Sequence, residues 1–186
     1  MLMVEYRNFG YISIDDARID ETCDAFFRWK DLNTYIVNHS RRGINMPDCI
    51  SEPMACYCLG LLWNNGDKTG DATNPETGEK IEFKATSRFE GDLSSFSPKT
   101  DFDDLIFLRF NLSKNLLYIY DLKINAKEFV KLPANNSQTI AEQQRQGRRP
   151  HISLQKLFVD AKNLIPDIIF DIRKCKIIKD NRGQND

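Results

Sequence analysis

A chain of 186 residues, 41% hydrophobic and 28% charged, has the size and balance of a single globular domain with room for a substantial core. Its formal net charge of −1 excludes a global positive field, so any nucleic-acid surface must be local. The opening Met1-Leu2-Met3-Val4-Glu5 does not read as a signal peptide, no apolar run approaches a membrane span, and five scattered cysteines show neither a disulfide framework nor zinc spacing, so a reducing cytoplasm is expected.

Residues 1 to 14, with Tyr6, Phe9, Tyr11, Ile12 and Ile14, predict a lead-in strand or an arm packed on the body. Ser13 is the expected cap of a first helix, with Asp16 in its first turn. From Asp16 to about Val37, Ile19, Cys23, Phe26, Phe27, Lys30 and Tyr35 recur at helical spacing. A break near Asp31-Leu32-Asn33 is compatible with the pattern. His39, Arg41 and Arg42 read as a polar helix end. After a linker at Pro47 to Ile50, Ser51 is the expected cap of a second helix, with Glu52 and Pro53 in its first turn. Met54, Cys56, Tyr57, Leu59, Leu61, Leu62 and Trp63 make that helix apolar all round and therefore buried. Asn64-Asn65-Gly66-Asp67 should end it.

Gly70 to Ala85 predicts a β-hairpin. Pro75-Glu76-Thr77-Gly78 has the residues of a tight turn, and either side reads as a strand. A turn centred between Glu76 and Thr77 sets Asp71 opposite Glu82, with side chains about 5 Å apart. Ile81, Phe83 and Ala85 point one way, Glu82 and Lys84 the other. Two carboxylates held so close call for a neutralising cation. Mg²⁺ is held by one or two carboxylates and keeps several waters. A neighbouring lysine can steady a phosphate or help activate a metal-bound water, a set suited to phosphodiester hydrolysis. An exposed hairpin with a surface ion pair between Glu82 and Lys84 accounts for the same residues. Glu52, at a helix start leaning on the sheet, is a candidate third carboxylate, although acids favour helix N-termini in any case.

Thr86 to Lys99 reads as a polar loop on the rim of that site, where Arg88 and Lys99 are candidate phosphate contacts. Leu105 to Phe110 is a short apolar run fit for a buried central strand, and Leu116 to Tyr120 returns from a turn as a second. Asp103 and Asp104 read as solvated loop acids. Ile124 to Leu132 predicts a short helix closed by Pro133. Asn135 to Gln146 is polar and rich in amides, and runs into Arg145, Arg148, Arg149 and His151. Arginine reads guanine edges and glutamine adenine edges, so these residues with Gln155 are the candidate DNA contacts of a recognition region around residues 135–165. Ser153 should cap a helix to about Asn163, with Leu154, Leu157, Phe158 and Ala161 inward. Asp167 to Ile178 supplies one or two closing strands, and Asp180 to Asp186 reads as a frayed tail.

Asp71, then Glu82-Phe83-Lys84, with the helix carrying Glu52 before them and the strand Asp104 to Phe110 after them, resembles the type II restriction endonucleases of the PD-(D/E)xK nuclease superfamily. The residue before Asp71 is Gly70 rather than the proline of the family's pattern. The resemblance implies an α/β restriction-endonuclease-like core, a mixed, largely antiparallel sheet flanked by helices. It implies Mg²⁺ held by Asp71 and Glu82, Lys84 acting on the attacking water, and Glu52 assisting. It also implies double-stranded DNA as substrate, a homodimer if the target is a palindrome, and a cognate DNA methyltransferase in the same system. A narrower resemblance is to the small family that cuts the interrupted palindrome GCNGC. A repair nuclease or junction resolvase of the same fold, and a DNA-binding module without chemistry, are the rival readings.

Overall fold

The computed structural model describes residues 10–66, 70–97 and 101–183. Tyr6 and Phe9 of the expected lead-in strand, Asp67, Lys99 and the last three residues lie outside them. Asp15, not Ser13, caps the first helix, α1 (Asp16–His39), its carboxylate accepting from the Arg18 N–H at 2.8 Å. The helix is continuous through Asp31-Leu32-Asn33, and Ile19, Cys23, Phe26 and Trp29 are buried along it, whereas Tyr35 is exposed. The second helix, α2 (Asp48–Leu59), starts earlier than expected. Pro47 is its cap, Ser51 is buried inside it, and Pro53 lies in its second turn rather than its first. Gly60, at φ +70°, ends it in the left-handed conformation. Asn64 therefore closes a strand, β2 (Leu62–Asn64), and not the helix.

β1 (Tyr11–Ile12), β2, β3 (Ala72–Thr73), β4 (Lys80–Thr86), β6 (Asp104–Asn111), β7 (Leu116–Asp121), β9 (Ile168–Asp171) and β10 (Lys176–Asp180) form one sheet in that order. Of the paired strands described, only β4 and β6 run parallel, so the sheet is mixed and largely antiparallel, as the resemblance implies. β6 has apolar contacts on both faces. Ile106, Leu108 and Phe110 join the core under α1 and α2, while Leu105 and Phe107 join a second core with Phe96, Phe102, Phe129 and Phe158. Burial on both sides is why its sequence is a continuous apolar run without alternation.

The second core is roofed by α3 (Ala126–Phe129), α4 (Ile140–Arg145) and a π-helix at Gln155–Asp160. The stretch expected to be only polar contains α4, begun by a capping box between Thr139 and Glu142. Ser153 does cap the next helix, accepting from the Lys156 N–H at 3.2 Å. Its inner residues are Leu154, Phe158 and Val159, and Ala161 is exposed, because the wider π turn shifts the inward face. The expected loop after β4 holds a strand, β5 (Ser94–Ser95), which pairs with β8 (His151–Ile152). Asp104 is not a solvated acid. It starts β6, accepts from the Leu105 and Ile124 N–H groups, and burial beside Asp121 pushes its carboxyl up to about 7. The tail is tied down as far as Asn181, which is buried and donates to the Pro166 carbonyl at 2.8 Å. All five cysteines are free, and the Cys23 and Cys175 thiols share a hydrogen bond at 2.7 Å. Among the described residues no helix is long and apolar enough to cross a membrane.

Candidate active site

The hairpin from Gly70 to Ala85 forms in the predicted register. Ala72 pairs with Ile81 and Thr73 with Lys80. The Asp71 N–H donates to the Ile81 carbonyl at 2.9 Å, which carries the register back to Asp71 opposite Glu82. The turn is local chemistry. The Asn74 side chain accepts from the Glu76 N–H at 2.9 Å, the Gly78 N–H donates to the Asn74 carbonyl at 2.8 Å, and Gly78 sits at φ +78° where a side chain would strain the backbone. Ile81 and Phe83 enter the core under α1 and α2. Ala85, expected to join them, is exposed. Glu82 and Lys84 take the opposite face and form an ion pair, with side chains 12% and 21% exposed. The Lys84 ammonium also lies 5.2 Å from the centre of the Phe96 ring.

Asp71 and Glu52 are held in the same fashion. One oxygen of Asp71 accepts from the Phe83 N–H at 2.7 Å. One oxygen of Glu52 accepts from the Trp63 indole N–H at 2.8 Å. In each case the other oxygen forms no hydrogen bond among the described residues. Asp48, Glu52, Trp63, Asn64 and Asp71 line one cleft of about 480 Å³. Glu52 stands in the second turn of α2, so the helix terminus is not the reason for an acid there. Burial, then the nearby Asp71 charge, pushes the Glu52 carboxyl up to about 8 against the indole bond, with Asp48 and Glu82 adding to the shift. Burial and the Glu82 charge push Asp71 up to about 6, against the Phe83 N–H and Lys84. Three side chains of this cleft escape a sequence reading: Trp63, Asp48 and the buried Asn64, which donates to the Gly70 carbonyl at 2.8 Å. Strand alternation gives no sign that an indole ties back to a helix eleven residues earlier.

Among the described residues no group of three or more His, Cys, Asp or Glu side chains is arranged to hold a metal ion. Mg²⁺ does not require such a group, since one or two carboxylates with water suffice. Hard oxygen donors crowded enough to resist ionisation, with the Lys84 ammonium beside them, are a fitting donor set for it.

Arg145, Arg148, Arg149 and His151 are all exposed, and none of their side chains makes a hydrogen bond or ion pair among the described residues. Arg88 is exposed too. Gln155 is half-buried, its side-chain oxygen accepting from the Gly91 N–H at 3.3 Å. One segment links these residues to Lys84. After β4 it reaches Asp92, a buried carboxylate that accepts from the Ser153 hydroxyl at 2.6 Å and the Leu154 and Gln155 N–H groups at 2.8 and 3.1 Å. It then pairs Ser95 with His151.

A mixed sheet with Asp71 opposite Glu82, Lys84 beside it and an acid from the preceding helix is the arrangement expected of a PD-(D/E)xK nuclease. Residues 14–161 match the Bsp6I restriction endonuclease family. The type II restriction enzyme Bsp6I of Bacillus sp. (strain RFL6) is 42% identical over 169 residues, which cover 91% of this chain and 97% of that enzyme. The chain belongs to the Bsp6I restriction endonuclease family and is an enzyme, a nuclease of the type II restriction class.

Proposed function

We propose that this protein cleaves double-stranded DNA at a short specific sequence by Mg²⁺-dependent hydrolysis of a phosphodiester. The observation that carries the reading is the Asp71–Glu82–Lys84 set on paired strands, with Glu52 in the same cleft as Asp71. Asp71 and Glu82 hold the ion, with Glu52 assisting from α2. When bound, Mg²⁺ neutralises charge developing on the scissile phosphate and lowers the pKa of a coordinated water. The chain's own residues do the rest. The Phe83 N–H fixes one oxygen of Asp71 and leaves the other for the ion. Trp63 does the same for Glu52. Glu82 and the Phe96 ring restrain Lys84, whose ammonium orients the attacking water or steadies the phosphate. Water oxygen bonds to phosphorus as the bond to the leaving sugar oxygen breaks, so no covalent enzyme intermediate is needed.

Arg145, Arg148, Arg149, His151 and Gln155 read the DNA, and Arg88 and Lys99 contact its phosphates. The chain acts as one domain in the cytoplasm, as a homodimer whose two-fold axis matches a palindromic target, alongside a cognate methyltransferase. Resemblance to the enzymes that cut GCNGC makes that sequence the expected target. Sequencing the ends of a Mg²⁺-dependent digest tests the whole reading. Defined ends within one motif are expected, and ragged ends, or no cutting with any divalent ion, would remove it.

A further inference from the structure

Arg109 is an anomaly in the second core. Its residue is 6% exposed, on the central strand β6. Arginine stays charged at any physiological pH, and a buried charge is expected to be paired. Among the described residues Arg109 forms no ion pair. Its Nη2 donates to the Phe89 carbonyl at 2.6 Å and its Nη1 makes a long contact of 3.4 Å to the Tyr120 hydroxyl. Its Nε is buried with no hydrogen-bond partner among the described residues. The guanidinium lies under the Phe89 ring, 4.3 Å from its centre, and 5.9 Å from that of Tyr120. Two neutral acceptors and two aromatic faces leave the charge without an anion.

The unpaired edge has a shape. Nε and Nη2 form one edge of the guanidinium fork, the edge that grips two oxygens of one phosphate. Here Nε is unpaired among the described residues and Nη2 is engaged by a carbonyl that a phosphate oxygen can replace. The place also fits. Arg109 pairs with Thr86 across the parallel strands, so it shares the face of Glu82 and Lys84. It stands one strand over and two residues along from Lys84, about 8 Å between Cα positions. Its cover belongs to a short segment anchored on both sides. The Thr86 hydroxyl accepts from the Arg88 N–H at 3.1 Å before it, and Asp92 is buried after it. Phe89 itself is half-buried, with exposed Arg88 and Glu90 beside it.

We propose that Arg109 binds a DNA backbone phosphate next to the scissile one, and that Phe89 swings off the guanidinium to admit it. The inference rests on the DNA-cleaving reading. DNA then replaces the Phe89 carbonyl at Nη2 and supplies the acceptor that Nε lacks. A phosphate contact is independent of sequence and contributes about one to the slope of log affinity against log salt.

The test is a salt titration of binding to cognate and random duplexes, with Ca²⁺ in place of Mg²⁺. Arg109→Met should lower the slope by about one on both duplexes, and Arg109→Lys should keep it. Phe89→Ala, which removes the cover and leaves the charge, should tighten both duplexes several-fold. A folded Arg109→Met protein with the wild-type slope overturns the proposal. If Arg109→Met does not fold in a thermal melt, Phe89→Ala decides, and unchanged or weakened binding overturns it. Wild-type protein with no salt-dependent DNA binding removes the DNA reading itself and the proposal with it.

Discussion

On the β3–β4 hairpin and on α2 the acids are fixed by the protein: Phe83 N–H holds Asp71, the Trp63 indole holds Glu52, and Lys84 holds Glu82. Between Arg145 and His151 the three arginine side chains and that of His151 are exposed, with no hydrogen bond or ion pair among the described residues. Under the proposed function the contrast follows the work each region does. Groups that act on a bond must be in position beforehand, and each oxygen spent on a positioning hydrogen bond leaves a defined one for the ion. Groups that read DNA settle onto it, so their partners are supplied by the DNA itself.

The largest expected effect lies on the fixed side. Asp71→Ala and Glu82→Ala should abolish cleavage in a plasmid nicking assay while circular dichroism stays native. Loss of the Phe83 bond costs about 1–3 kcal/mol, and relief of carboxylate crowding offsets it. Normal cutting by either variant would end the assignment of the ion to these two residues. Lys84→Ala should cut very slowly and yet bind Ca²⁺ in a calorimetric titration. If Ca²⁺ binding disappears with activity, Lys84 organises the carboxylates instead of acting on water or phosphate.

On the free side, Arg148→Ala or Arg149→Ala should weaken cognate binding by roughly tenfold to a hundredfold and hardly touch random DNA, the signature of a lost guanine contact. Equal losses on both duplexes would mean that the loop grips phosphates. The mildest test concerns the crowding of acids. Glu52 and Asp71 ionise at about 8 and about 6 in the fold, above the ordinary carboxylate range. A raised folded pKa means that the folded state holds protons the unfolded chain has released, so the contribution of these two acids is full below about pH 4 and is lost as pH rises from there to about 6 for Asp71 and about 8 for Glu52. Thermal melts in a chelator should show that decline. Glu52→Gln should flatten its upper half, and a metal-free melt insensitive to pH would mean that the acids are not crowded. Mg²⁺ should restore stability at pH 8 by binding the ionised form.

What could be read from the sequence was local, or set by one long period. The hairpin register follows from Asn74, Pro75 and Gly78, whose preferences do not depend on the rest of the fold. Leu105 to Phe110 announced a strand buried on both faces. Failures came where a distant partner overrode a local signal. Pro53 looks like a first-turn proline, and the packing of Ile50, Ser51 and Met54 instead carries α2 back to Asp48. Asp104 looks like a loop acid, and only its meeting with Asp121 across β6 and β7 makes it a half-buried one. Arg109 reads as one charge in an apolar run, with nothing nearby to say that Phe89 would lie over it.

The π-helix at Gln155–Asp160 carries one residue more per turn than the helices beside it. A surplus residue can be taken out. Deleting exposed Lys156 would bring Phe158 and Val159 to three and four places after Leu154, which is the stripe of an ordinary α-helix. The inward side chains would keep their places, and the Ser153 cap would pass to the next backbone N–H. A single-residue deletion, ruinous in most helices because it rotates all that follows by about 100°, is therefore an accessible step here, and one that moves Gln155 relative to Gly91 without disturbing the core beneath it.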